Sequence, residues 1–386
     1  MPTQTLTTTQ QIEDFVHGLT FLGTGGGGGP AQNGINTLLA EREAGRPVAW
    51  VDIDELPADA WTVTVAGMGG RPPKEGPSAE ELTALGLVQE RFPMRASLPA
   101  AVHELAAYRG VKVSAVIPIE LGSGNTPGPM LVANQLGVPV VDGDYAGRAI
   151  PELTNLKPEI FGVPIAPIAY VDKWGNSVLV RETASTEMAD RIGRMLCLAA
   201  YSGVGIACYL LQVKDAKRVM VAGTLSKSLA LGAARRQALD ARADPVQALA
   251  QAAGGWVLFK GEVSQAEWEN RGGFMFGYGT HHLKGIEEHA GHTCKVWYKN
   301  ENHIVWIDDQ PFVSSPDIIA LVDRQTGEAK PNGVVATGQQ LAVVGTRVSD
   351  PAYRSERGIA ILEPRHFGFD IPYVPIEERM NGQRRS

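Results

Sequence analysis

Five consecutive glycines at positions 25–29 are the feature that most restricts how this chain can fold. Glycine has no Cβ, so ordering such a run costs much conformational entropy, and the run suits a place where the backbone turns sharply or approaches a ligand. An apolar stripe at helical spacing over 10–22 precedes the run, and a second predicted helix at 33–43 follows it. Consecutive glycines also expose backbone N–H groups that can bind a ligand. We favour a ligand-binding loop over the alternative, a flexible turn between two helices.

The run contains the GxGxxG pattern of dinucleotide-binding proteins at Gly23, Gly25 and Gly28. In that fold the pattern follows a β-strand and opens a helix. Here the preceding segment is helical, and the first predicted strand, at 48–53, comes later. We therefore predict no cofactor and keep an NAD(P)-linked oxidoreductase only as an alternative.

A chain of 386 residues is long enough for two domains. Strands are predicted at 48–53, 62–66, 111–117 and 138–142, with helices at 100–109 and 129–136 between them. This alternation predicts an α/β domain with a parallel sheet over residues 1–175. Residues 176–386 carry helical patterns up to 253 and strand patterns after 255, which predicts an α+β domain with a β-rich C-terminal end.

Three loops, at 67–73, 120–126 and 142–148, leave the carboxyl ends of predicted strands. Such ends gather at one edge of a parallel sheet, so we expect these loops and the glycine run to form one cleft. Glu120, Asp142 and Asp144 are the candidate catalytic carboxylates, because a buried carboxylate can act as a general base. Arg148 could pair with Asp142 or grip an anionic group. A capped turn with an Asp–Arg ion pair is the alternative.

The candidate substrate-binding residues are small, or carry a polar or soft side chain, and lie on the predicted cleft. They are Thr24, Gly25, Gly26, Gly27, Gly28, Met68, Gly69, Gly122, Asn125 and Arg148.

A group of histidines and one cysteine invites a metal-binding interpretation. Its members are His281, His282, His289, His292, Cys294 and His303. Their spacing matches no closed zinc motif, and HExxH is absent from the sequence. We favour solvated histidines on a hairpin and predict no metal, with zinc as the alternative.

The net charge of −7 and the lack of a basic cluster argue against nucleic-acid or anionic-membrane partners. The N-terminus lacks the features of a secretory signal. Cys197, Cys208 and Cys294 are too widely spaced for a disulfide framework. The apolar stretch over 195–213 contains glycines and is expected to form a helix end, a turn and a buried strand. We expect a cytoplasmic homo-oligomer that binds a small molecule.

Four segments are similar to a known bacterial family. They are LGTGGGGGP at 22–30, AGMGGRP at 66–72, the block at 117–153 that contains IELGSGNTPGP, and EPRHFGFDIPY at 363–373. Together they resemble the S-methyl-thiohydantoin desulfurase-like family over nearly the whole chain, most strongly before residue 155.

The resemblance implies two domains and a cyclic ureide as substrate. Water would replace the substituent at the carbon between the two ring nitrogens and leave a hydantoin. Together with the carboxylate loops, it predicts a hydrolase that breaks a C–S or C–N bond at that carbon. A non-catalytic subunit that binds a small ligand is the alternative from another class.

Overall fold

The computed structural model describes residues 4–69, 76–92, 96–271 and 276–383. The helices in these ranges are α1 (Thr9–Leu22), α2 (Ala31–Glu43), α3 (Ala79–Ala84), α4 (Ser97–Arg109), α5 (Pro127–Leu136), α6 (Lys157–Ile160), α7 (Thr186–Ala199), α8 (Val213–Val219), α9 (Thr224–Asp240), α10 (Pro245–Ala252), α11 (Glu356–Ala360) and α12 (Ile376–Gln383). In the described part of the chain, no helix is both long enough and apolar enough to cross a membrane.

The strands are β1 (Gln4–Thr5), β2 (Ala49–Trp50), β3 (Trp61–Met68), β4 (Val113–Pro118), β5 (Gly143–Asp144), β6 (Ile168–Asp172), β7 (Ser177–Val180), β8 (Val204–Gln212), β9 (Val221–Ala222), β10 (Gly255–Ala266), β11 (Glu269–Arg271), β12 (Phe276–Gly285), β13 (Thr293–Lys299), β14 (Glu301–Ile307), β15 (Gln310–Ser314), β16 (Ile318–Asp323) and β17 (Gln340–Thr346).

The N-terminal sheet is mixed, with the order β4-β3-β8-β6-β7. β3 and β4 are parallel, whereas β8 pairs antiparallel with both β3 and β6. The prediction of a parallel sheet therefore holds for β3 and β4 but not for the sheet as a whole, which is mixed. Residues 204–209 at the start of β8 are all buried, and such a continuous apolar strand does not reveal its direction in the sequence. The predicted strand at 138–142 makes only isolated bridges, from Val140 to Val116 and from Val141 to Val51.

The C-terminal sheet is antiparallel and contains eight strands, in the order β15-β14-β13-β12-β10-β17-β16, with β11 paired to β12. It curls into a half-barrel around a core that includes Phe259, Val296, Val305 and Val343. The predicted β-rich end after 255 is confirmed. The predicted boundary near residue 175 stays a prediction, since β8 lies beyond it in sequence but within the N-terminal sheet.

Helices α1 and α9 touch backbone to backbone, which fixes the position of the glycine loop at the end of α1. A Cβ on Gly18 would lie 1.8 Å from the carbonyl oxygen of Ser228. A Cβ on Gly232 would lie 1.7 Å from the carbonyl oxygen of Asp14. No larger residue fits at either glycine unless the helices move apart.

We predict that Gly232→Ala lowers the free energy of unfolding by about 1–3 kcal/mol, because overpacking at a backbone contact exceeds the gain in helix propensity. Urea denaturation measures the difference. The control is Gln237→Ala at an exposed position of the same helix, which should change stability by less than about 0.5 kcal/mol. Equal stability of Gly232→Ala and the wild type would show that the helices are not in this close contact.

Candidate functional site

A cavity of about 450 Å³ opens between the glycine loop, the end of β3, the segment after β4 and the turn between β13 and β14. This volume lies within the usual range of small-ligand sites. Of the residues predicted for the cleft, those that line the cavity are Gly25, Gly26, Gly27, Gly28, Met68, Gly69, Glu120 and Asn125. Those that lie outside its lining are Thr24, Gly122, Asp142, Asp144 and Arg148. Positions 70–73 of the predicted loop lie outside the described residues.

The glycine loop packs its backbone directly on the loop that follows β4. A Cβ on Gly27 would lie 2.7 Å from Cα of Gly122, and a Cβ on Gly28 would lie 2.6 Å from Cα of Gly124. Gly27 and Gly28 also have φ values of +75° and +99°, which side chains disfavour. Gly122 therefore contributes by allowing this contact rather than by lining the cavity.

Backbone donors of the glycine loop are available to a ligand. Within the described residues, the N–H groups of Gly27, Gly28 and Gly29 donate to no protein acceptor. The carbonyl of Gly27 accepts from Gly124 N at 3.0 Å and from Asn125 N at 3.2 Å, which holds the loop in place. Such oriented N–H groups favour a partly negative oxygen.

Glu120 follows β4 and is only 5% exposed. Its Oε2 accepts from the backbone N–H of Ile150 at 2.7 Å, and its Oε1 accepts from Nδ2 of Asn125. Burial raises the pKa of Glu120 to about 7, although these two hydrogen bonds oppose the rise. A carboxyl held in one orientation with a pKa near neutrality suits a general base.

Glu301 is a second carboxyl in the same cavity, and the sequence analysis missed it. It is 3% exposed, and its Oε1 lies so close to Gly26 that a Cβ there would be 1.8 Å away. Its Oε2 has no hydrogen-bond partner among the described residues. Burial, and then the negative charge of Glu120, raise the pKa of Glu301 well above its usual range.

Neither carboxyl forms a salt bridge with a described lysine or arginine. Two neighbouring buried acids cannot both ionise cheaply, so they favour holding one proton between them near neutral pH. Such a pair can supply a base and a proton donor at one site.

Asp144 and Asp142 hold turns beside the cavity. Asp144 is fully buried, and its Oδ2 accepts from Ala146 N at 2.8 Å and from Gly147 N at 2.7 Å. Burial raises the pKa of Asp144 to about 7. Asp142 caps α9, accepting at Oδ1 from Leu225 N at 2.9 Å. These contacts agree with the capped turn of the alternative interpretation, but among the described residues neither carboxylate forms the ion pair with Arg148 that the alternative included.

Arg148 ties the glycine loop to the C-terminal sheet. Its guanidinium is buried and donates to Thr24 Oγ1 at 3.2 Å, to Asn302 O at 3.1 Å, and to the carbonyls of Pro316 and Asp317 at 3.3 Å. Burial lowers the pKa of Arg148 to about 10. Its donors bind protein oxygens, so this side chain organises the site from behind.

An ion pair from α7 adds to the cavity wall. Arg194 Nε donates to Asp190 Oδ2 at 2.8 Å, and Arg194 Nη2 donates to the carbonyl of Pro151 at 2.7 Å. The spacing of four residues on a helix was a signal available in the sequence. Both side chains line the cavity.

Glu152 also lines the cavity and contacts a lysine and a histidine. Its Oε1 contacts Lys299 Nζ, and its Oε2 lies 2.7 Å from His366 Nε2. Burial by itself raises the pKa of Glu152, but the hydrogen bond with His366 and the charge of Lys299 outweigh burial and lower this pKa to about 2. The charges of Glu152 and Asp190 are therefore compensated, unlike those of Glu120 and Glu301.

The histidine cluster does not converge. His281 bonds Asn332 through Nε2 at 3.1 Å, whereas His303 bonds Ser315 through Nδ1 at 3.0 Å. His292 pairs with Asp308 in an exposed position. Over the ranges that the structure describes, no group of three or more histidine, cysteine or acidic side chains is placed to hold a metal ion.

The raised pKa of Glu120 predicts a specific loss of stability with pH. The carboxyl binds its proton more tightly in the folded than in the unfolded chain, so its stabilising effect is present at low pH and is lost as pH rises through about 7. Between pH 5 and 8 this loss amounts to about 2–3 kcal/mol. Glu120→Gln should remove this component, as measured by urea denaturation at both pH values.

The matched control is Glu41→Gln. Glu41 is also buried and also accepts from an asparagine, Asn134, at 2.8 Å, but its hydrogen bond with Arg46 lowers its pKa. Replacement of the Glu41 carboxyl should leave the fall in the free energy of unfolding between pH 5 and 8 the same as in the wild type. The same loss in Glu120→Gln as in the wild type would contradict the raised pKa.

Comparisons with known proteins agree with this architecture. No curated protein matches the sequence. A crystal structure of a protein from Chromobacterium violaceum has the same fold, with a TM-score of 0.75 and 23% sequence identity. The match covers 96% of this chain and 99% of that one. Residues 10–182 match the model of the S-Me-THD-like N-terminal domain, and residues 184–376 match that of the S-Me-THD-like C-terminal domain. The chain therefore belongs to the S-Me-THD-like family.

Proposed function

We propose that this protein is a hydrolase that acts on an S-methyl-thiohydantoin or a related hydantoin-like ring. Water replaces the methylthio group at the carbon between the two ring nitrogens. The observation that carries the proposal is the oriented, buried carboxyl of Glu120 in a small-molecule cavity lined by glycine amides. Membership of the S-Me-THD-like family supports the thiohydantoin class.

Glu120 is the proposed base. Its carboxyl lines the cavity, and Asn125 and Ile150 fix both oxygens, whereas Asp144 lies outside the lining and its Oδ2 is directed at its own turn. Ionised Glu120 takes a proton from water as the water oxygen bonds to the ring carbon. The C=N electron pair moves through the ring nitrogen onto the neighbouring ring carbonyl oxygen.

We assign to the backbone amides of the glycine loop the stabilisation of the negative charge on that oxygen. The amides of Gly27, Gly28 and Gly29, which donate to no acceptor among the described residues, can donate to the ring oxygen as it becomes negative. Removal of one such donor from other enzymes lowers the rate by about 10²–10³-fold. The backbone contact with Gly122 and Gly124 holds these donors rigid, so little reorganisation is needed during the reaction.

Collapse of the tetrahedral intermediate breaks the C–S bond, and the electron pair leaves with sulfur. The proton on Glu120 passes to the thiolate and gives methanethiol, and the second water proton ends on the ring nitrogen. Met68 and Trp268 line the same cavity and offer apolar contacts for the methylthio group. The volume of about 450 Å³ exceeds that of a five-membered ring and leaves room for a ring substituent.

We predict that Glu120→Gln lowers kcat for methanethiol release by about 10²–10⁴-fold, which is the usual contribution of a general base. KM should change much less, because the glutamine side chain at position 120 can still form a hydrogen bond with the substrate ring. The assay follows methanethiol from an S-methyl-thiohydantoin at pH 7.5, with circular dichroism to verify the fold. Glu41→Gln is again the matched control and should retain wild-type kcat.

Turnover that survives Glu120→Gln would exclude Glu120 as the base. A wild type that binds the ring tightly without releasing any product would favour a non-catalytic ligand-binding subunit.

A further inference from the structure

The proposed desulfurisation uses Glu120 and leaves without a role Glu301, the other cavity carboxyl that has no salt bridge with a described cation. Glu301 lies at the start of β14, directly after the turn at Asn300, where a charged side chain would ordinarily face solvent. Instead its carboxyl lies against Gly26 in the cavity, and its Oε2 is buried without a hydrogen-bond partner in the part of the chain that the structure describes. An unpartnered carboxyl costs stability, so a function for it is expected.

The leaving group decides whether such a carboxyl is needed. A thiolate is a far more stable anion than an amide anion, since even the cysteine thiol has a pKa of about 8.5, and it departs without prior protonation. A nitrogen leaving group must gain a proton before its bond to carbon breaks, because its anion is far too basic. A base alone can therefore release methanethiol, whereas the release of ammonia also requires an acid beside the base.

Glu301 meets the structural requirements for that acid. It is buried, it shares the cavity with the negative Glu120, and it has no salt bridge with a described cation. Each of these conditions favours the protonated form of a carboxyl. The charges of Arg148 and Arg194 lower the pKa of Glu301 from a distance, but both guanidinium groups donate their hydrogen bonds to other protein oxygens.

We propose that the same cavity also hydrolyses five-membered cyclic guanidines, in which an amino group replaces the methylthio group, and that Glu301 protonates the departing nitrogen. The inference rests on the proposed function, since it uses the same water attack by Glu120. The water oxygen bonds to the ring carbon, Glu301 gives its proton to the exocyclic nitrogen, and the C–N bond breaks to release ammonia. Glu301 then regains a proton from the new hydroxyl, which becomes the carbonyl, and Glu120 returns its proton to the ring nitrogen.

The test compares two substrates that differ only at the reacting carbon, an S-methyl-thiohydantoin and the corresponding 2-amino-imidazolinone. Purified full-length protein is assayed for methanethiol from the first and ammonia from the second. The wild type should release both. Glu301→Gln should lower kcat for ammonia by 100-fold or more, and the ratio of ammonia to methanethiol release should fall at least tenfold.

Glutamine resembles a protonated glutamate in size and charge, so Glu301→Gln should fold. If its circular dichroism shows that it does not, Glu301→Asp decides the matter through the ratio of the two rates. A tenfold or larger fall in the ratio of ammonia to methanethiol release supports the proposal, and an unchanged ratio overturns it. Glu41→Gln is the control for both substrates.

The outcomes separate the two proposals. A wild type that releases methanethiol but no ammonia overturns the inference and leaves the desulfurisation intact. Ammonia without methanethiol overturns the desulfurisation but supports the inference. An equal loss of both products in Glu301→Gln overturns the role of Glu301 as the acid for nitrogen, and a wild type inactive on both substrates overturns both proposals.

Discussion

The contact between two glycine-rich backbones is the constraint on which the site depends. A Cβ on Gly27 would lie 2.7 Å from Cα of Gly122, and a Cβ on Gly28 would lie 2.6 Å from Cα of Gly124. Because the segment after β4 also carries Glu120, this contact sets the carboxyl beside the amides of the glycine loop. Side chains at these positions would separate the base from the donors. Arg148 fixes the arrangement from behind by joining Thr24 to the C-terminal sheet.

The second constraint is electrostatic. Glu120 and Glu301 are buried together without a salt bridge to a described cation, an arrangement that disfavours ionisation and reduces stability at alkaline pH. Glu152 and Asp190, in the same cavity, are each compensated by close cations. Two of the cavity carboxyls are therefore neutralised by cations and two are not. Proton transfer is expected at the second two, Glu120 and Glu301. Perturbed acids in a cavity are typical of catalytic sites.

The sequence predicted the parts of the site that depend on local chain geometry. The glycine run and the loop at 120–126 could be identified because adjacent glycines and a carboxylate at a strand end are visible within a few residues. Asp142, Asp144 and Arg148 were also polar residues after a buried segment, but their side chains bond to neighbouring protein groups outside the cavity, and only the packing shows this. Glu301 gave no local signal, since a glutamate beside a hairpin turn ordinarily faces solvent. The direction of β8 was equally hidden, because a strand buried throughout has no alternation to reveal its neighbours.

The most direct test of the account is a crystal structure of Glu120→Gln with a bound S-methyl-thiohydantoin, since the variant should bind the ring without turning it over. The account predicts that the ring lies in the cavity between the glycine loop and Glu301. Its central carbon should face residue 120, and a ring oxygen should accept from the amides of Gly27–Gly29. A ring bound elsewhere, or one whose central carbon faces away from residue 120, would contradict it.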